Sequence, residues 1–445
     1  MISTVVTTIA LCGSPAGELN AALSDLRRLP PAEQTTTRYL SAYNVPAEQR
    51  DDLMVAVSLV LNHVSRSPLI VRPTWIPGTS LLRWNLAHYA ASEADVRAIS
   101  QTYESLVSAD PYWHLRTQVF DPETGQPSEV FTDGGWVGLE GAAELRRLSA
   151  SGGALLRADW FVVQAAGNFY YALAGVPQTR RAFFAQLGID IETIDALQAD
   201  EGANLFVSGI TGNVRRIVRR QGPLGAAWET FDVEASTPER DPFRNPFEFV
   251  YDAGEHIAAM PNGLHRFALF NAQGDLQATV PDVIAKDTSD PHGDGIVRPM
   301  ISCVRCHVED GLRPFANHQK RLLETGISVS LDSPARASRF QQFYRARRLE
   351  RALPRDRDDY ATAVHEATGV SVEAAAAALA GVWDGYLNDQ VTPETAAREL
   401  CGDDLAPLRA SGDPVLLALI AGLSVQREQW EASFAEAALL SWGNN

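Results

Sequence analysis

Residues Glu255–Val280 read EHIAAMPNGLHRFALFNAQGDLQATV, three short runs separated by Pro261-Asn262-Gly263 and by Asn271-Ala272-Gln273-Gly274-Asp275. The Asn and Gly in each connection supply the positive φ that tight turns need, so the stretch predicts a three-stranded antiparallel meander. Pairing Met260 with Leu264 across the first turn sets the register. Side chains alternate along a strand, so Ile257, Ala259, His265, Phe267 and Leu269 then share one face. That face is apolar except for His265. A histidine buried there must find a partner, either a hydrogen bond or a metal.

Upstream the pattern is mixed. Ala47–Ser65 spaces its apolar residues at three and four and predicts a helix. Leu69–Trp75 and Ser80–Leu86, parted by Pro77-Gly78, predict strands. Ser92–Ser108 predicts a second helix with Ser92 as N-cap. Asp121–Val137 and Gln221–Asn245, with their Gly and Pro residues, predict loop. Glu140–Leu148 and Thr179–Leu187 read as helices, the latter stopped by Gly188, and Leu155–Ala166 as a buried apolar segment.

Downstream the chain turns alanine-rich. Val372–Leu387, Glu394–Leu400 and Ser424–Leu440 predict helices, the second led in by Thr392 at N-cap and Pro393 at N1. The expected fold is therefore α+β, mostly helical, with a small antiparallel meander before residue 302 and an α-helical C-terminal region. The expected division is 1–25 as a signal or flexible N-terminus, 26–240 as a mixed α/β domain, 241–330 as the meander with the segment after it, and 331–445 as the helical region. The length of 445 residues suits two or three units of roughly 150 residues.

Four cysteines in this length exclude a disulfide framework. Two of them form Cys303-Val304-Arg305-Cys306-His307. Two thiols one helical turn apart can add to the two vinyl groups along one edge of a haem, and the adjacent histidine can then ligate the iron from beneath. The competing readings need more than is here. Structural zinc wants two further ligands, usually a second paired motif, and Cys12 and Cys401 stand alone. A thioredoxin-like pair wants its cysteines at a helix N-terminus and has no use for the histidine. The expected cofactor is one covalently attached haem c held by Cys303 and Cys306, with His307 as proximal iron ligand.

This motif resembles that of the c-type cytochrome superfamily. Further stretches are similar to a group of large bacterial single-haem proteins: Asn62-His63-Val64-Ser65-Arg66, Arg157-Ala158-Asp159-Trp160-Phe161, and Met260-Pro261-Asn262-Gly263-Leu264. In those proteins a histidine tends to precede the D-A/G-G-E element, whereas here Tyr251 precedes Asp252-Ala253-Gly254-Glu255. If that histidine is the usual distal ligand, the resemblance implies an altered or open sixth position in this chain.

The distal ligand separates the functions. The methionines all lie upstream of the motif, which excludes the downstream methionine of small electron-transfer cytochromes. Met300 is tethered to the proximal side. His265 is the first choice because the strand pattern buries it. His256, Met260, Tyr251, His318 and His365 are the alternatives, His318 lying only eleven residues past His307, a short span to round the macrocycle. The leading expectation is an extracytoplasmic, periplasmic, single-haem cytochrome exchanging electrons with a redox partner protein. The others are a haem enzyme or a peroxide or gas sensor with an open iron site, for which Arg266 and Arg298 are available as distal groups, and a scaffold with structural haem.

The balance of 55 acidic against 38 basic residues, net −17, disfavours nucleic acid and anionic membrane and favours a basic partner. No apolar run is long enough for a transmembrane helix. Met1–Gly13 lacks the Lys or Arg that leads a secretory signal. Its Ile9-Ala10-Leu11-Cys12 resembles a lipid-anchor processing site, although Leu11 is larger than that site takes. Asp287–Gly295 is rich in oxygen donors and could hold calcium, but its spacing is not that of an EF-hand.

Overall fold

The computed structural model describes residues 14–120, 127–133, 135–191, 201–207, 211–235, 237–279, 284, 286–289, 294–327, 330–345, 348–387, 390–402 and 404–442. The suggested export segment and its Cys12 lie outside them. So do residues 290–293 of the oxygen-rich stretch.

Helix dominates at about 49 % against 15 % strand, and the fold is α+β with an α-helical C-terminal region. In chain order the described strands are β1 (Thr37–Ser41), β2 (Thr74–Trp75), β3 (Leu81–Asn85), β4 (His114–Phe120), β5 (Pro127–Asp133), β6 (Leu155–Arg157), β7 (Glu201–Leu205), β8 (Arg215–Gly222), β9 (Gly225–Asp232), β10 (Ala253–Ala259) and β11 (His265–Asn271). They form a four-stranded sheet β2-β3-β1-β6, the hairpin β4-β5, and a five-stranded sheet β11-β10-β9-β8-β7. The five-stranded sheet is antiparallel throughout.

One apolar core runs through elements far apart in sequence. The helix Arg50–His63 is buried along its second half. It packs against Ala158–Ala166, Arg348–Thr368 and Val372–Leu387. The core cluster reaches from Leu19 to Ala438. Arg50–His63 is buried around its circumference from Ala56 onward, whereas Val372–Leu387 buries the side that carries Ala375, Ala376, Leu379, Trp383 and Tyr386 and leaves the other exposed.

The first turn of the meander forms in the expected register. Met260 N–H donates to the Leu264 carbonyl at 2.8 Å, and Ala259 faces His265. Gly263 takes φ +84°, where a side chain would be strained. The expected third strand does not form. Leu276 makes only an isolated bridge to Phe270 and Asp275 one to Thr179. The sheet grows instead on the other side of β10, through β9 and β8. This corrects the first half of the reading of Gln221–Asn245 as loop: Pro223 sits in the two-residue turn Pro223-Leu224, where its missing N–H costs nothing, and β9 pairs on both sides, while the described residues past Asp232 carry no strand. The boundary expected near 240 falls between β9 and β10, which are hydrogen-bonded neighbours. Asp121–Val137 is likewise not all loop, since β4 and β5 pair over seven residues each.

The sequence stretches outside the cysteine motif that carry the resemblance turn out to hold the core together. Asn62 clamps the chain at Val71 through both its amide groups, at 2.8 and 3.0 Å. The Asn262 amide in the hairpin donates to the Asn62 carbonyl at 2.9 Å, docking the turn on the end of Arg50–His63. Arg157 and Asp159 pair with each other inside a larger buried cluster.

Candidate functional site: a cavity beside Cys303, Cys306 and His307

The cysteine motif lies on the short helix Ile301–Cys306. Its start is fixed by Arg298 and Ser302, which exchange hydrogen bonds at 2.8 and 3.1 Å. Its apolar side, Ile301 and Val304, is buried, and Arg305 pairs with Asp384 of the helix Val372–Leu387. Cys303 and Cys306, three residues apart on a helix, are left on the same side. The helix ends at His307, because Asp310 and Gly311 both take positive φ and turn the chain back. His307 N–H still closes onto the Cys303 carbonyl at 2.9 Å, and Gly311 N–H onto the His307 carbonyl at 2.9 Å.

Cys303, Cys306 and His307 all line one cavity of about 400 Å³, in the size range of cofactor sites. The opposite wall is one face of the five-stranded sheet. Strand alternation brings Ile217, Trp228 and Ile257 to that face together with Arg215, Thr230 and Glu255. The loop after His307 closes a third side with Leu312, Pro314 and Phe315. Arg313 and Lys286, both exposed, mark the cationic edge.

Both thiols of the motif are held above their ordinary value, unlike those of a reactive dithiol. Burial pushes the Cys306 thiol up to about 11, against a smaller opposing effect of the Ser289 hydroxyl at 3.5 Å. Burial also raises Cys303 well above its usual value, with Glu255 adding to it. A thioredoxin-like cysteine is instead lowered by a helix N-terminus. Neither cysteine is in a disulfide. Burial lowers His307 to about 4, with Arg313 and Arg215 contributing, so the imidazole is neutral and fit to ligate a metal. Its Nδ1 is closed off from solvent with no hydrogen-bond partner, an orphaned polar atom beside the cavity.

Arg215 is the buried cation of this cavity. It pairs with Asp232 through Nε at 2.5 Å and Nη2 at 2.8 Å, and reaches Glu255 at 3.3 Å. Burial would lower the guanidinium, but Asp232 and Glu255 outweigh it and hold it above its ordinary value. Burial raises the Glu255 carboxyl, with Asp232 adding to it.

The candidate distal groups separate clearly. His265 is buried as expected, on the same sheet face as Ile257 and Phe267. It stands at the hairpin end, stacked on Tyr360 at 4.1 Å, and does not line the cavity. His63 and His307 add to burial in holding its imidazole well below the usual value, which sets it near His307 although outside the cavity lining. His256 borders the cavity, but strand alternation turns its ring to the other face, where it packs on Phe184 at 5.8 Å and Phe270 at 4.9 Å. Tyr251 packs against Phe231 at 4.8 Å, Met260 is buried in the core, and His365 is exposed. Arg266 bonds Gln186 and Arg298 pairs with Asp294, both away from the cavity lining. His318, set aside on chain length, does line the cavity, and its Nδ1 accepts the Phe206 N–H at 3.3 Å. The loop between His307 and His318 runs along the cavity rather than away from it, which the span alone does not reveal.

Among the described residues, no group of three or more His, Cys, Asp or Glu side chains is arranged to hold a metal ion, and no helix is long and apolar enough to cross a membrane. Comparison with protein-family models, with curated proteins and with solved structures finds no match to this chain.

Proposed function

We propose that this protein is a single-haem c-type cytochrome that exchanges electrons with a protein partner. The observation that supports this most is the placing of Cys303, Cys306 and His307 on one wall of a largely apolar cavity with cations at its edge. Cys303 and Cys306 would hold the haem covalently, and His307 would ligate its iron from the proximal side. Haem in such a site supplies a one-electron iron couple. The sheet residues Ile217, Trp228 and Ile257 would keep water from the cofactor, and Arg313 and Lys286 would face its carboxylates. Attachment of haem c takes place outside the cytoplasm, so the reading carries an extracytoplasmic, periplasmic location. The net charge of −17 favours a basic redox partner.

A second reading, an open iron site that binds a small ligand, is favoured by the His318 geometry. With Nδ1 accepting a backbone N–H, the proton sits on Nε2, and His318 offers a hydrogen-bond donor rather than a ligand lone pair. Carbon monoxide difference spectroscopy of the reduced protein separates the two. A spectrum unchanged by carbon monoxide supports electron transfer with a sixth protein ligand. A shifted Soret band overturns it in favour of ligand binding.

A further inference from the structure

A second cavity, of about 240 Å³, lies on the other face of the five-stranded sheet, at its hairpin end. Ala258 and Arg266 are register partners across β10 and β11 and both line it. Strand alternation turns them away from Ile257, which faces the cysteine motif. Much of the lining is apolar, with Phe183, Leu187 and Met260 buried at the cavity wall. Leu224, in the turn between β8 and β9, also lines it and is 63 % exposed, a large apolar side chain that the protein itself does not cover.

Four polar side chains line this cavity: Arg66, Asp95, Gln186 and Arg266. Arg66 is fully engaged within the protein. It donates to the Leu173 and Ala172 carbonyls at 3.2 and 3.0 Å, at the end of the helix Tyr170–Ala174, and to Asp95 at 3.2 Å. Asp95, which also accepts the Ser92 hydroxyl at 2.8 Å, therefore neutralises Arg66. Arg266 is left over. Its Nη1 donates to the Gln186 amide oxygen at 2.8 Å, a neutral partner, and among the described residues no carboxylate pairs with it. Its Nε is sealed from solvent, whereas its Nη2 is neither sealed nor taken by a protein group. Burial lowers the Arg266 guanidinium below its ordinary value; Tyr170 and Asp95 oppose this, and Arg66 adds to it. A guanidinium nevertheless stays charged at any ordinary pH. Set in a largely apolar cavity without a protein anion, it is the group with which an anion from solution would pair.

We infer that this cavity binds a small organic monocarboxylate, its carboxylate on Arg266 Nη2 and its apolar body against Phe183, Leu187, Met260 and Leu224. Two guanidinium groups and one carboxylate leave a single excess positive charge on the lining, which matches a monoanion. A phosphate dianion would be left half unpaired, with oxygens against apolar walls that hold no donor. A cation is repelled, and an uncharged ligand gains little from Arg266 that water does not already give it. The size of the cavity, below the usual range of cofactor sites, suits a compact acid. This inference does not depend on the haem reading.

The test is fluorine NMR of the full chain with para-fluorobenzoate and trifluoropropanoate at millimolar concentration, beside para-fluorobenzamide and trifluoropropanamide as uncharged counterparts of the same shape. At least one acid should broaden and its amide should not. The unfluorinated parent acid should restore the sharp line, and phosphate at matched ionic strength should not. Arg266→Gln, which keeps a polar side chain and removes the charge, should weaken binding about tenfold or more. Leu224→Asp, at an exposed turn position where folding is not at stake, sets a carboxylate at the cavity and should weaken it likewise, with thermal unfolding and the circular dichroism spectrum as in the wild type. No broadening of either acid, equal broadening of acid and amide, displacement by phosphate, or binding that survives either substitution in a folded protein each overturns the proposal.

Discussion

Glu399 is the hub of a buried polar chain that runs from Asn44 through Asp159 and Arg157 to Arg427, and its removal gives a sharp measure of what that chain contributes. Its carboxylate takes Arg157, Arg427 and Trp430 at once, and only 2 % of the residue is exposed. Burial alone would raise the carboxyl, but Arg157 and Arg427 outweigh it and hold it at about 2. A carboxyl held there rather than at its usual 4.5 contributes about 3 kcal/mol to stability once ionised. Glu399→Gln keeps the shape and removes the charge, leaving two buried guanidinium groups short of a partner. Breaking a buried pair in this way costs about 3–5 kcal/mol, so the two routes agree. Because the folded pKa lies below the unfolded one, the contribution is complete above about pH 4.5 and is lost as pH falls through about 2. Urea unfolding at neutral pH should show the variant destabilised by about 3 kcal/mol. A series down to acid pH should show the wild type losing stability that the variant never had. A loss under about 1 kcal/mol, or identical acid dependence in both proteins, would show that Glu399 is not held by its two arginines.

Other outcomes follow from the same geometry. Gly311→Ala places a Cβ 2.3 Å from the Tyr360 ring at φ +79°; strain and overpacking together should cost about 2–5 kcal/mol in urea unfolding and lower haem content per chain. His265→Ala should leave the spin state of the haem protein unchanged, whereas His318→Ala should change either the spin state or the carbon monoxide spectrum, as read by visible absorption and electron paramagnetic resonance. Tyr360→Phe removes the hydroxyl within 3.1 Å of His63 Nε2 and should cost about 1–3 kcal/mol by leaving a buried nitrogen unsatisfied.

Local features were legible in the sequence wherever short-range chemistry decides them. Val372–Leu387 forms over the residues its composition indicates, and Ser92 and Thr392 cap their helices through Asp95 N–H and Thr395 N–H. The Pro261-Asn262-Gly263 turn sets the register that buries His265. What failed was long-range. Leu276 and Gln277 have strand-like residues, but they touch β11 only through an isolated bridge, while β9, masked by the proline in its turn, takes the place beside β10. The cavity wall of Ile217, Trp228 and Arg215 is assembled by that pairing, and no local pattern in β8 or β9 marks it. The burial of His265 was readable, because alternation decides it. Its position relative to the cavity was not, because that depends on how far along the hairpin the cysteine helix docks. Nor does anything in the sequence join Asn44 to Arg427, since their connection runs through Asp159, Arg157 and Glu399.

Covalent haem on Cys303 and Cys306 is what the proposed function stands on. The most direct measurement is a pyridine haemochrome spectrum of the denatured protein, expressed with a secretion signal and the haem-maturation machinery. The expected result is a c-type spectrum with one haem per chain that survives acid-acetone extraction and is lost in Cys303→Ala/Cys306→Ala. A protein that emerges folded but free of haem, or one whose haem extracts freely with both cysteines intact, would contradict it.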